Sequence, residues 1–176
     1  AARLEDEVLA LERRLAGQDL RPSGPVRITT TDTLGAVLMR HLPAMRRAHP
    51  EIEPEIIVSN AMANLTRREA DLAIRNLRPD NPDLIHRHLA RKEVGLYASR
   101  SYLAAHGEPR PGTAFAGHTL VTYQQSVLPG WSDTFCGEPT GNGRIGLELN
   151  SGLMIIEAVA AGLGIGELPT HMAPDY

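Results

Sequence analysis

Residues 26–50 read VRITTTDTLGAVLMRHLPAMRRAHP, and within this stretch the chemistry of the chain changes period. VRITT at 26–30 is a β-branched run suited to a strand. Thr31, Asp32 and Thr33 follow, three residues whose short oxygen-bearing side chains accept hydrogen bonds from the free N–H groups of a helix start. Leu34, Val37, Leu38, Leu42 and Met45 then recur at spacings of mainly three and four, which predicts a helix ended by Pro50. Pro43 lies inside that stripe and predicts a kink or a new first turn, because its ring removes one backbone donor.

Working outward, EIIVS at 55–59 predicts a second strand, and Ser59 and Asn60 predict the cap of a helix carrying Met62 and Leu65 to about Glu69. DLAIR at 71–75 predicts a third strand. Strands alternating with helices over short connections imply βαβ units and a parallel sheet with helices on its faces, an α/β fold. NLRPDNPD at 76–83 is a turn-rich break. Beyond it the pattern predicts a strand at 94–98, a short helix at 101–106 and a strand at 119–123. An irregular stretch then passes through Trp131 and Cys136 to a strand at 145–149. A helix at 152–161, opened by Asn150 and Ser151 and closed by Gly162, precedes a last strand at 165–168 that Pro169 ends.

The N-terminal residues 1–17 place Ala1, Leu4, Val8, Leu11 and Leu15 on one stripe of a helix stopped by Gly17. Two readings stand for this stripe: it lies on its own domain, or it pairs with a second chain or partner helix. QDLRPSGP at 18–25 reads as a linker. The whole chain, 176 residues, has the size of one ordinary domain or two small lobes, and 42% apolar residues are enough to form a core. Its 18 Lys+Arg against 21 Asp+Glu give a net charge of −3, which lacks the cationic surplus that phosphate neutralisation needs. One cysteine forms no intramolecular disulfide, and no apolar stretch reads as a signal peptide or membrane span. A cytoplasmic location with no membrane partner is the expectation.

Three strand-to-helix corners carry the chemistry that stands out: Thr31-Asp32-Thr33, Ser59-Asn60 and Asn150-Ser151. Helix starts present free N–H groups and a positive dipole end, and open parallel sheets bind ligands at the carboxyl ends of their strands. Each corner alone is explained by capping; three of them suit a carboxylate or another small polar ligand. Catalysis has no motif behind it. GNGRIG at 141–146 matches a dinucleotide string but precedes a strand, the wrong context for that function. Gly162, Gly164 and Gly166 read as a C-cap and as close packing. His86 and His88, two apart on an expected strand, would share a side yet lack further ligands, so no metal site and no cofactor is expected. Cys136 has no neighbouring cation to activate it as a redox sensor. Trp131 and Tyr123 fit either a ligand cleft or the core.

The run at 26–75 from VRITT to EADLAIR, the segment VGLYASRSYLAAHG at 94–107 and the closing NSGLMIIEAVAAGLGIGELP at 150–169 resemble the effector-binding (co-inducer, LysR substrate-binding) domain of LysR-type transcriptional regulators. The resemblance implies a type 2 periplasmic-binding-protein-like fold: two α/β lobes joined by hinge strands, one near residues 92–98, with a small molecule in the cleft. It also makes residues 1–17 a linker helix for dimerisation, with Leu4, Val8, Leu11 and Leu15 at the contact. Residues 25–90 are then the first lobe and 91–169 the second. The family continues with a return strand and a C-terminal helix, so the first lobe is expected to be incomplete and residues 170–176 a truncated tail. A winged helix-turn-helix does not precede the linker helix in this sequence, so DNA is expected to be bound only through an N-terminal reader domain outside it.

Carried over by position, the effector contacts implied are Thr31, Asp32, Thr33, Ser59, Asn60 and Arg75 from the first lobe, and Tyr123, Asn150 and Ser151 from the second. Arg75 would meet an anionic group in two-pronged fashion, or pair with Asp71 or Glu69 at a strand end. Together these residues predict a sensor of a small, carboxylate-bearing effector that controls transcription through the geometry of a homo-oligomer, a dimer or tetramer. A solute-binding protein of a transport system and an enzyme on a similar two-lobe fold are the alternatives, and the enzyme has no assembled catalytic set. Geometry adds one expectation: Thr31, Ser59 and Asn150 should converge on one bound molecule.

Overall fold

The computed structural model describes residues 22–60, 70–77, 84–128 and 130–172. The N-terminal stripe of Leu4, Val8, Leu11 and Leu15 and the helix expected around Met62 and Leu65 lie outside them.

The first lobe is built on β1 (Gly24–Thr30), which lies between β2 (Ile52–Val58) and β3 (Leu72–Ile74) and runs parallel to both. Its central place explains its composition: Ile28, Thr29 and Thr30 in succession are all buried, as a strand covered on both faces requires. β2 starts three residues before the predicted position and takes in Pro54. Among the described residues it pairs only with β1, so the missing N–H of Pro54 leaves no ladder partner bereft. α1 (Asp32–Ala48) follows β1 with Thr31 as its N-cap and Arg46 and Arg47 in its last turn, and stops ahead of Pro50. It runs as one helix through Pro43, with no new first turn there; a kink or a new first turn is the expectation from the sequence. Pro43 and Met39, whose carbonyl loses its helical partner to the ring, are both exposed, so that carbonyl lies on a side open to solvent.

In the second lobe β5 (Thr119–Tyr123) pairs parallel with β8 (Arg144–Leu149). β4 (Val94–Tyr97) pairs antiparallel with β9 (Gly166–Pro169), a direction on which the sequence reading is silent. Pro169 sits within this pairing, opposite Val94. The N–H of Val121 donates to the Ile165 carbonyl at 2.9 Å and the N–H of Ile165 to the Thr119 carbonyl at 2.8 Å, and this bridge joins the two pairs edge to edge.

Both faces of this sheet are covered. α3 (Gly152–Ala160) packs Ile155, Ile156, Ala158 and Val159 with Val121 and Leu168 on one face. On the other, Tyr102 of α2 (Arg100–His106) clusters with Phe115, Leu120, Phe135 and Ile165. Full burial of each such aliphatic or aromatic side chain contributes about 1.5–3 kcal/mol, so the second lobe has the larger described core. α3 has the composition this demands, apolar nearly all round.

Two further differences from the sequence reading have local causes. The irregular stretch holds a 3-10 turn at Trp131–Asp133 and a short hairpin of β6 (Thr134–Phe135) and β7 (Glu138–Pro139). Cys136 and Gly137 turn it with φ of +48° and +86°, the pair of positive values that matches the twist of a hairpin. Residues 85–93 form no strand, so His86 and His88 do not share a strand face.

Candidate functional site

The starts of α1 and α3 meet across the lobes. Thr31 caps α1, its Oγ1 accepting from the Leu34 N–H at 3.4 Å. Asp32, the first helical residue, turns its own N–H to Asn60 Oδ1 at 2.9 Å. The same Asn60 side chain donates through Nδ2 to the Asn150 carbonyl in the second lobe, also at 2.9 Å. Asn150 leads into Ser151, the N-cap of α3, whose Oγ accepts from the Met154 N–H at 3.2 Å.

The Asp32 carboxylate completes the circuit. Oδ1 accepts from the Thr33 N–H at 2.7 Å. Oδ2 accepts from Ser151 Oγ–H at 2.5 Å and from the Leu153 N–H at 3.1 Å. A single negative charge thus sits between the positive ends of two helices, and hydrogen bonds to a carboxylate are the stronger kind. Charge at this point is felt by Tyr123. Burial, with the Asp32 charge adding to it, pushes its hydroxyl up to about 12.

Gly152, the first residue of α3, lets the parts close. A Cβ there would lie 2.3 Å from Tyr123 Oη and 2.6 Å from Thr33 Cγ2, so a first-lobe threonine and a second-lobe tyrosine both press on it. Trp131 stands edge-on to the Tyr123 ring with centroids 6.3 Å apart. Arg75, at the end of β3, donates to the Ser59 carbonyl at 2.5 Å and to Thr29 Oγ1 at 2.7 Å. It braces the carboxyl ends of all three strands of the first sheet, and burial lowers its pKa. Asp71 accepts from the Arg27 N–H at 2.9 Å.

Asp32, Asn60, Asn150 and Ser151 are therefore brought into one hydrogen-bonded circuit, with Thr33 and Tyr123 against Gly152 beside it. Ser59 and Arg75 are joined to each other. Thr31 directs its hydroxyl to its own helix and to Thr33 Oγ1, 3.4 Å away. Asn150 enters through its carbonyl. Sequence reasoning missed Gly152, Thr29 and the Leu153 N–H. Gly152 has no signal in the sequence, since its closeness to Thr33 and Tyr123 exists only after the lobes meet; the Leu153 amide is implicit in any helix start.

The remaining candidates are structural. At Gly143 a Cβ would lie 2.7 Å from Leu120 Cδ1, and at Gly146 one would lie 2.2 Å from Thr119 Cγ2, so two glycines of GNGRIG serve the close β5–β8 pairing. Gly162 adopts φ +81° after α3, and a Cβ on Gly166 would lie 2.6 Å from Val159 Cγ2. Burial first, then the charge and hydrogen bond of Glu167, push the Cys136 thiol up to about 11, the opposite of an activated thiol. Among the described residues no group of three His, Cys, Asp or Glu side chains is arranged to hold a metal.

Comparison with known proteins identifies the fold. The HTH-type transcriptional regulator CrgA of Neisseria meningitidis serogroup C is 28% identical over 126 residues, 71% of this chain and 42% of CrgA. The HTH-type transcriptional repressor PA14_22550 of Pseudomonas aeruginosa is 30% identical over 105 residues, 59% of this chain and 33% of the repressor. The chain thus spans less than half the length of these relatives. The regulatory domain of N. meningitidis CrgA superposes with a TM-score of 0.73 at 25% identity, covering 84% of this chain and 73% of that domain. The CcmR regulatory domain of Synechocystis PCC6803, solved in complex with 2-PG, shares the fold with a TM-score of 0.67 at 22% identity, covering 88% of this chain and 76% of that one. The model of the LysR substrate binding domain matches residues 20–176, nearly all of the sequence. Two α/β lobes, meeting where strands end and helices begin, belong to a chain that is a member of the LysR substrate-binding domain family.

Proposed function

We propose that this chain is the effector-sensing part of a LysR-type transcriptional regulator. A small molecule binds between the lobes, and the closed form it favours sets the geometry of a dimer or tetramer that binds DNA through a separate reader domain. The observation that carries this reading is the hydrogen-bonded circuit Asp32–Asn60–Asn150–Ser151. It ties the starts of α1 and α3 across the lobes, so a ligand there acts on how the lobes stand to one another. An effector shifts that equilibrium only by the difference in its affinity for the two forms. Thr31, Asp32, Thr33, Ser59, Asn60, Tyr123, Asn150 and Ser151 are the proposed contacts, with Arg75 as the proposed partner of an effector carboxylate. Residues 1–17 are the proposed dimerisation helix, 25–90 the first lobe and 91–169 the second.

The relatives are regulators by name, and the proposed role is binding, with no reaction. Among the described residues no helix is long and apolar enough to cross a membrane; a cytoplasmic location is proposed from the kinship with transcriptional regulators. A thermal-shift screen of small carboxylates and aromatic acids tests the reading, because a ligand that binds only the native state raises its stability by mass action. A compound that raises the melting temperature of the wild type, and does so less for Ser59→Ala or Thr31→Val, supports it. A compound whose stabilisation both substitutions leave intact overturns the proposed contacts. Light scattering on the chain with and without residues 1–17 tests the dimerisation helix; identical monomeric masses overturn it.

A further inference from the structure

We infer that Asp32 is a built-in anion: its carboxylate fills the seat at the start of α3, latches the two lobes together without any ligand, and closes that seat to an anionic group of an effector.

The start of a nine-residue helix offers free N–H groups and a positive dipole end to an anion. Here two donors of that start, Ser151 Oγ–H and the Leu153 N–H, are given to Asp32 Oδ2. The contact is built from both sides. Asp32 is held in place by its backbone bond to Asn60 and by the Thr33 N–H on its other oxygen, and Asn60 itself crosses to the Asn150 carbonyl. On the second lobe, the lack of a side chain on Gly152 lets Thr33 come within reach of α3. A second anion brought to the same donors would meet a fixed negative charge there and would have to displace it. The charge of Asp32 therefore sets specificity at this end of the cleft, rejecting a carboxylate where a bare helix start would have attracted one. The consequence for the effector rests on the cleft reading above; the latch itself does not.

The test needs no effector and uses acetate as the probe. Thermal unfolding of the intact chain is followed for wild type, Asp32→Ala and Asp32→Asn, with sodium acetate exchanged for sodium chloride at constant ionic strength. Asp32→Ala should melt roughly 3–8 °C lower than wild type. Acetate should restore part of that loss saturably, leave the wild type unmoved, and lose its effect when Ser151→Ala is added. An equal response of wild type and Asp32→Ala to acetate overturns the inference, because the seat would then be open. A melting point unchanged in Asp32→Ala, with no acetate response, overturns it as well. Should Asp32→Ala not fold, a double-mutant cycle of Asp32→Asn with Ser151→Ala decides the matter; additive losses mean no latch. An effector later found to bind outside the cleft would overturn the cleft reading and leave these results standing.

Discussion

Asp32 Oδ2 and Ser151 Oγ, 119 positions apart in sequence, lie 2.5 Å from each other at the meeting of the two lobes. Ser151 performs two tasks with one hydroxyl, since the same oxygen accepts from the Met154 N–H to cap α3. Ser99 caps α2 in the same way, accepting from the Tyr102 N–H at 3.2 Å, but its other partner is the nearby Ser101.

Ser151→Ala should therefore cost more than Ser99→Ala. Loss of a cap costs about 0.5–2 kcal/mol, and leaving Asp32 short of a charge-assisted bond adds about 1.5–3 kcal/mol before water repairs part of it. Urea unfolding of the two variants measures the difference; equal losses would show that the Asp32 contact adds nothing.

Gly152→Ala should destabilise the chain despite the gain of about 1 kcal/mol that alanine brings to a helix over glycine. Its Cβ would meet Tyr123 Oη and Thr33 Cγ2 inside contact distance, and overpacking of this kind costs about 1–3 kcal/mol. Adding Thr33→Ser, which removes Cγ2, should return part of the loss. Denaturation midpoints of the single and double variants check this.

Tyr123 holds its proton unusually tightly, its hydroxyl being pushed up to about 12 from 10.0. For such an acid the native state favours the neutral form. Its stabilising effect is complete below pH 10, where both folded and unfolded chains keep the proton, and is lost as pH rises from about 10 to about 12, where only the unfolded chain releases it. Ultraviolet absorbance should show a late phenolate step that vanishes in Tyr123→Phe and moves to lower pH in Asp32→Asn.

Cys136 is exposed but its thiol is pushed up to about 11 from 9.0, so at pH 8 its thiolate should be about 100-fold scarcer than that of an unperturbed thiol. Alkylation by iodoacetamide should be correspondingly slow and should quicken in Glu167→Gln. A wild-type rate equal to that of a free thiol would contradict this.

Local chemistry determined much of the architecture from the sequence alone. The strand ending at Thr30, the cap at Thr31 and the helix beginning at Asp32 are fixed by neighbours within four residues, and so are the Ser151 cap and the α3 stripe. Strand partners are another matter, because the antiparallel run of β9 against β4 is set by where the chain returns, many residues from either strand. The hairpin at 134–139 escaped the reading because Cys136 is a residue seldom found at positive φ. Sequence put Asp32 and Ser151 among the candidate contacts as polar residues at helix starts, and it could not say that one would satisfy the other. That pairing depends on a charge and a donor brought together by the packing of two lobes, and packing between residues 119 positions apart leaves no local pattern to read.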